Sequence, residues 1–97
     1  MARFDVYLGK RGYLLDVQAD LLAAFGTRIV VPLLPKDRVP QSVRQLNPVF
    51  VCDGKSLTMA THLLLALPKS DLGSLHASLA HEADTINRAL DIALQGF

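Results

Sequence analysis

The sequence predicts an α+β domain: a small, strongly bent antiparallel sheet closing toward a barrel, followed by one long helix at the C-terminal end. Three observations carry this prediction. Short apolar runs separated by Gly, Pro and Asp-Gly turns recur through most of the chain, as they do where short antiparallel strands follow one another. A sustained helical periodicity occurs once, between His81 and Phe97. The 97 residues, 51% hydrophobic and 20% charged, suffice for one core and no second, so residues 1–97 are read as a single domain.

Taken in order, Arg3 to Leu8 alternates as a strand, with Phe4, Val6 and Leu8 on one face and Arg3, Asp5 and Tyr7 on the other. Gly9-Lys10-Arg11-Gly12 reads as a hairpin turn, two glycines supplying positive φ around two solvated cations, and Tyr13 to Gln18 returns as the second strand. Ala19 to Gly26 contains helix formers but has room for barely two turns, which makes it a short helix or a loop. So short an element cannot bury both Leu21 and Leu22, so one of them is a candidate surface contact; the alternative is a plug at one end of the core. Arg28 to Leu34 is the strongest strand, because Ile29-Val30-Val31 is β-branched and is bounded by Gly26, Pro32 and Pro35. Pro32 has no N–H to give a ladder, which places that half of the strand at an edge or a bulge. Lys36 to Gln45 is a polar connection.

Val49 to Cys52, Asp53-Gly54 and Lys55 to Thr61 form a hairpin, since Asp-Gly suits the type I′ turn that matches strand twist. Ala60 to Leu67 continues extended until Pro68. Gly73 to Ala80 is a connection or a short helical turn, with Leu72, Leu75 and Leu79 as packing anchors. The final helix runs from His81 to Phe97. Ile86, Ala89, Leu90, Ala93, Leu94 and Phe97 share one stripe, Asp84, Asn87, Arg88, Asp91 and Gln95 lie opposite, and Ile92 falls at the edge. Such a helix is a lid on the core, a surface offered to a partner, or both. Its tip, Gln95-Gly96-Phe97, is expected to fray, because a carboxylate at the negative end of the helix dipole weakens the last turn.

Composition narrows the function classes. A net charge of +1 gives no bulk electrostatic reason to bind nucleic acid or an anionic membrane. The apolar run around Leu63 to Leu67 is far too short to span a bilayer, and the N-terminal residues contain no secretory apolar region. Cys52 is the only cysteine, which rules out an internal disulfide and makes a reducing, cytoplasmic compartment the expectation. His62, His76 and His81 show no metal-ligand spacing with one another or with Cys52, so neither a metal nor a cofactor is expected. No Gly-x-Ser-x-Gly elbow or glycine-rich phosphate loop occurs, and Cys52, in an apolar strand, reads as a small hydrophobe. From the residues alone, the chain is a binding module without catalytic residues.

Asp16-Val17-Gln18-Ala19-Asp20, then Arg28-Ile29-Val30-Val31-Pro32-Leu33, then Leu46-Asn47-Pro48-Val49, and last the helix ending in Gly96-Phe97, together resemble the CcdB family. These are toxins of bacterial toxin–antitoxin pairs that poison DNA gyrase. The resemblance covers essentially the whole chain. It implies an SH3-like antiparallel β-barrel with a long C-terminal α-helix, assembled as a homodimer with the paired helices near its axis. It also implies no enzymatic activity, trapping of the cleaved-DNA complex between the arms of the gyrase A protein, and neutralisation by a partly disordered antitoxin that folds along the surface. The partners implied are a second copy, the antitoxin and the A subunit of DNA gyrase, with no direct contact to nucleic acid or membrane.

By the same resemblance, gyrase contacts fall at Gln95, Gly96 and Phe97, where the family carries tryptophan, glycine and isoleucine, and at Asp84, Arg88, Asp91, Leu21 and Leu22. The turn Gly9, Lys10, Arg11 and Gly12 falls to the antitoxin. Gln95 departs from the pattern: it has no aromatic face to stack on an arginine, a contact worth roughly 0.5 to 2 kcal/mol. Two other functions compete. One is a CcdB-type dimer that has lost gyrase poisoning, acting on another topoisomerase or binding only its antitoxin. The other is a messenger-RNA interferase, because ribonuclease toxins share this barrel and fold does not fix function.

Overall fold

The β-branched run Ile29-Val30-Val31 forms the middle of the longest strand, and the sheet is built outward from it. In the computed structural model, which describes residues 2–39 and 42–96, the strands are β1 (Asp5–Gly9), β2 (Gly12–Asp16), β3 (Thr27–Pro35), β4 (Val49–Cys52), β5 (Lys55–Met59), β6 (Leu65–Pro68) and β7 (Ser74–Ser78). The helix α1 covers Ala83–Gln95. The strands run in the order β4-β5-β3-β2-β1-β7, with β6 also paired to β3, and every pairing is antiparallel. The result is a curled, half-barrel sheet plus one helix, the small SH3-like α+β architecture that the sequence predicts.

Pro32 explains how β3 can be central although it contains a proline. On one side β3 pairs with β2 throughout Val30 to Leu33. On the other side it pairs with β6 over Thr27 to Val30 and with β5 over Leu33 to Pro35. Pro32 falls at this change of partner, where a missing N–H interrupts no ladder, and its carbonyl accepts from the Ala60 amide at 2.9 Å. In place of the expected edge or bulge, Pro32 sits at a junction inside the sheet where β3 changes partner.

Alternation on the central strands feeds two apolar layers. Val6, Leu15, Val31, Leu33, Phe50, Leu57 and Met59 face the helix and meet Ile86, Ala89 and Leu90. Tyr7, Leu14, Val30, Leu67 and Leu72 pack on the opposite face of the sheet. Residues such as Leu15 and Ile86 have no exposed surface, and each contributes roughly 1.5 to 3 kcal/mol by burial. Strand β1 is thus buried on both faces, which explains why Tyr7, placed by the sequence on the polar face, is 4% exposed.

Other boundaries shift for local reasons. Phe4 has a φ of 74°, so β1 starts at Asp5 rather than Arg3. Ala19 to Gly26 contains a single 3-10 turn at Asp20–Leu22, with no buried residue. The extended run expected over Ala60 to Leu67 is broken by a 3-10 turn at Thr61–Leu63. Gly73 to Ala80 holds a strand, β7, paired to β1, instead of a connection, and Leu75 on it is 63% exposed rather than an anchor. The helical stripe is also shorter than predicted, since Ala93 is exposed and Leu94 is 67% exposed. Gly96 ends the helix in the left-handed conformation, its amide donating to the Ile92 carbonyl at 2.9 Å.

Candidate functional site

The outer face of α1 and the loop before β4 form a cleft of about 790 Å³. Arg44 and Asn47 line it from the loop, Val49 from the start of β4, and Asp84, Thr85 and Arg88 from the helix. Asn47 fixes the loop wall. Its Oδ1 accepts from the Val43 amide at 2.9 Å, its own amide donates to the Val43 carbonyl at 2.7 Å, and its Nδ2 donates to the Met59 carbonyl at 3.0 Å. Thr61 adds a hydroxyl bond to the Leu46 carbonyl. The cleft therefore has one rigid wall of loop and one of helix, with an arginine on each.

Of the residues that the resemblance singles out, Asp84, Arg88, Asp91 and Gln95 share the exposed face of α1, and none of their side chains makes a hydrogen bond or ion pair among the described residues. Gly96 is exposed at the helix end, and Phe97 lies outside the described residues. Leu21 is 92% exposed and Leu22 37%, so this segment is a surface feature and not a plug. The structure links that segment to the helix through Arg3. Its amide donates to Asp20 Oδ1 at 3.0 Å, and its guanidinium donates to Asn87 Oδ1 at 3.0 Å and to the Val17 carbonyl at 3.2 Å. Gly9, Lys10, Arg11 and Gly12 close the β1–β2 hairpin as predicted, but only Gly12, at φ 79°, supplies positive φ, while Gly9 ends β1 paired with it; Arg11 lies 3.8 Å from Asp71, a loose and exposed pair.

A second constellation, which the sequence reading did not find, gathers at the opposite end of β4. Asp53 sits in the β4–β5 turn at φ 56° with Gly54 at φ 72°, the signature of the type I′ turn. Tyr13, at the start of β2, donates its hydroxyl to Asp53 Oδ2 at 2.8 Å. The ring nitrogen Nε2 of His76, on β7, bonds the same oxygen. The Tyr13 and His76 rings stand edge to face, 5.8 Å between centroids. The Tyr13 and His76 bonds hold the Asp53 carboxyl below its ordinary range, and the same Tyr13 bond pushes the Tyr13 hydroxyl up. Three side chains from distant parts of the sequence meet here, so no spacing rule could show them. The one local signal is Asp-Gly itself, which marks a turn and says nothing of what its carboxylate meets. Neighbouring Cys52 is buried, and burial pushes its thiol up, in keeping with a packing role.

Among the described residues no group of three or more His, Cys, Asp or Glu is placed to hold a metal ion, and no helix is long and apolar enough to cross a membrane. The family description "CcdB protein" matches residues 3–96. The chain belongs to the CcdB family. It is thereby a toxin of the toxin–antitoxin kind, as the sequence resemblance implied. Among solved structures, this CcdB-family chain is similar to an endoribonuclease from a mycobacterial species. The TM-score is 0.78 at 19% identity, covering 97% of this chain and 90% of the other. It is also similar to an endoribonuclease in complex with its cognate antitoxin, again mycobacterial, with a TM-score of 0.77 at 19% identity, covering 97% of this chain and 94% of that one. These neighbours correct the expectation of a chain without enzymatic activity: the same scaffold, matched over nearly its whole length, carries catalysis in proteins that are endoribonucleases.

Proposed function

We propose that this toxin cleaves RNA and is held inactive by a cognate antitoxin. The observation that carries the reading is the near-complete match in fold to an endoribonuclease bound to its antitoxin. The chain's own surface supports it. A net charge of +1 conceals a local gathering of Arg44 and Arg88 on facing walls of one cleft, which suits a phosphodiester backbone better than the overall balance suggests. Gyrase poisoning loses support at the helix tip, where exposed Gln95 stands in place of the family's stacking tryptophan. The toxin acts as a homodimer in this reading, since exposed Leu94 and half-buried Ile92 leave apolar surface for a second copy.

The test sets two substrates against each other. Purified protein is incubated with single-stranded RNA, and separately with gyrase and supercoiled DNA. The expected outcome is RNA fragments that disappear when the antitoxin is added, with no cleaved-DNA complex. Trapped gyrase–DNA complex with intact RNA would overturn the reading.

A further inference from the structure

The surface that the family resemblance singles out does not include the cluster at the β4–β5 turn, and nothing in the packing of the sheet needs it. An exposed hydrogen bond to a carboxylate adds little to stability, and the strands that carry these three residues are already paired through their backbones. The cluster nevertheless constrains one imidazole on two sides. Asp53 takes the Nε2 side of His76, and the Tyr13 ring stands edge to face with it. In the neutral imidazole that donates Nε2–H to this carboxylate, Nδ1 is the acceptor nitrogen, and no described residue bonds to it. The His76 side chain is 30% exposed, so the imidazole is open to solvent. A carboxylate that fixes the tautomer and orientation of a reachable imidazole is the arrangement that general-base catalysis requires.

We propose that Tyr13, Asp53 and His76 form the acid–base centre at which single-stranded RNA is cleaved, with His76 as the catalytic base and Asp53 and Tyr13 as positioning residues. This rests on the ribonuclease reading above. His76 Nδ1 takes the proton of a ribose 2′-hydroxyl, the 2′-oxygen forms a bond to the adjacent phosphorus, and the bond from phosphorus to the 5′-oxygen breaks. Water protonates the departing 5′-oxygen, and the hydroxide so formed takes the proton from His76 Nδ1, which returns the base to its starting state. The products are a 2′,3′-cyclic phosphate end and a 5′-hydroxyl end, and no other reactant is consumed. Lys55, whose charge already acts on Asp53, offsets the negative charge that builds on the phosphoryl oxygens.

The position of the cluster also fits the cleft. Val49 lines the cleft and Asp53 follows four residues later, roughly 13 Å away at about 3.3 Å per residue. Val49 and Val51 share the outward face of β4 between them, both exposed. The outward face of β4 thus runs from the cleft to the turn that carries Asp53.

The experiment uses the full chain and an end-labelled mixed-sequence oligoribonucleotide, with a matched strand carrying 2′-deoxyribose throughout. The wild type is expected to cut only the RNA and to leave 2′,3′-cyclic phosphate ends. His76→Ala and His76→Gln are each expected to slow cleavage about 100-fold or more, with folding checked by circular dichroism. Added imidazole should restore part of the His76→Ala rate, which a merely structural role would not allow. Asp53→Asn should slow cleavage and shift its pH profile. RNA cleavage by the wild type with undiminished rates in both His76 variants, or slow variants without imidazole rescue, overturns the centre while the ribonuclease reading stands. A wild type that leaves RNA intact overturns both.

Discussion

Asp16 and Arg28 form an ion pair with no exposed surface on either side chain. Arg28 Nη2 lies 2.7 Å and Nε 2.8 Å from the same carboxylate oxygen, Oδ2. The other carboxylate oxygen accepts the Gln18 amide at 3.0 Å, while Arg28 Nη1 finds no partner among the described residues. This pair bridges β2 and β3 at the centre of the sheet, so both strands depend on it for their polar accounting.

Removing one partner should therefore be worse than removing both. Arg28→Met leaves a buried carboxylate alone and is expected to cost about 3 to 5 kcal/mol in urea unfolding, whereas Asp16→Leu with Arg28→Met should recover most of the loss. Burial, opposed by Arg28 and the Gln18 amide, pushes the Asp16 carboxyl above its ordinary 3.8. The folded chain then holds this proton more tightly than the unfolded chain. The contribution is fully present below about 3.8 and is lost as pH rises through the folded value. The stability of the wild type relative to Asp16→Asn should fall with rising pH across that window.

Gly73 and Gly9 let two backbones touch. A Cβ on Gly73, which sits at φ 88°, would stand 2.7 Å from the Gly9 Cα and closer still to the Leu8 carbonyl oxygen, and one on Gly9 would stand 2.8 Å from the Gly73 Cα. Gly73→Ala is expected to cost about 3 kcal/mol by combining left-handed strain with a clash against backbone that cannot swing away. Gly12→Asn, at φ 79° but in open space, should cost under about 1 kcal/mol. Thermal melts of the wild type and the two variants decide the ranking.

The Tyr13 to Asp53 bond should be visible in titration. Asp53→Asn is expected to lower the Tyr13 hydroxyl toward its ordinary 10.0 while leaving Tyr7, raised mainly by burial, where it is. Because the folded Asp53 value lies below 3.8, its contribution to folding is present above 3.8 and is lost as pH falls through the folded value. Ring resonances of Tyr13 and His76, followed by NMR, should therefore lose their edge-to-face shifts together on acidification below 3.8.

The Asp-Gly hairpin and the β-branched strand were legible in the sequence because each rests on a local rule: a turn needing positive φ, and side chains that suit a pleated surface. The strand Ser74–Ser78 was not legible, because its residues are poor strand formers and mostly exposed, and only pairing with β1 makes it a strand. Likewise the exposed face of α1 followed from periodicity, whereas the cleft needs Asn47 to hold a loop against it. The Tyr13, Asp53 and His76 cluster depends on the curl that brings both ends of the sheet together, and that curl has no signature at any one residue.

The salt dependence of binding separates a phosphate-binding cleft from a protein-binding one. If Arg44 and Arg88 each hold one phosphate of single-stranded RNA, the log–log dependence of affinity on salt carries about 0.7 per contact, because each contact releases condensed counterions. Arg44→Ala and Arg88→Ala should each flatten the slope by about 0.7 and weaken binding similarly across unrelated sequences, since phosphate contacts carry no sequence information. The double variant should lose about 1.4, as the two side chains reach different phosphates from opposite walls. Asp84→Asn should act in the opposite sense, tightening binding at low salt by removing a like charge from the same cleft. Fluorescence anisotropy with an uncleavable 2′-deoxy strand measures all four slopes without interference from cleavage. Unchanged slopes in both arginine variants would assign the cleft to a protein partner and leave RNA to be held elsewhere on the sheet.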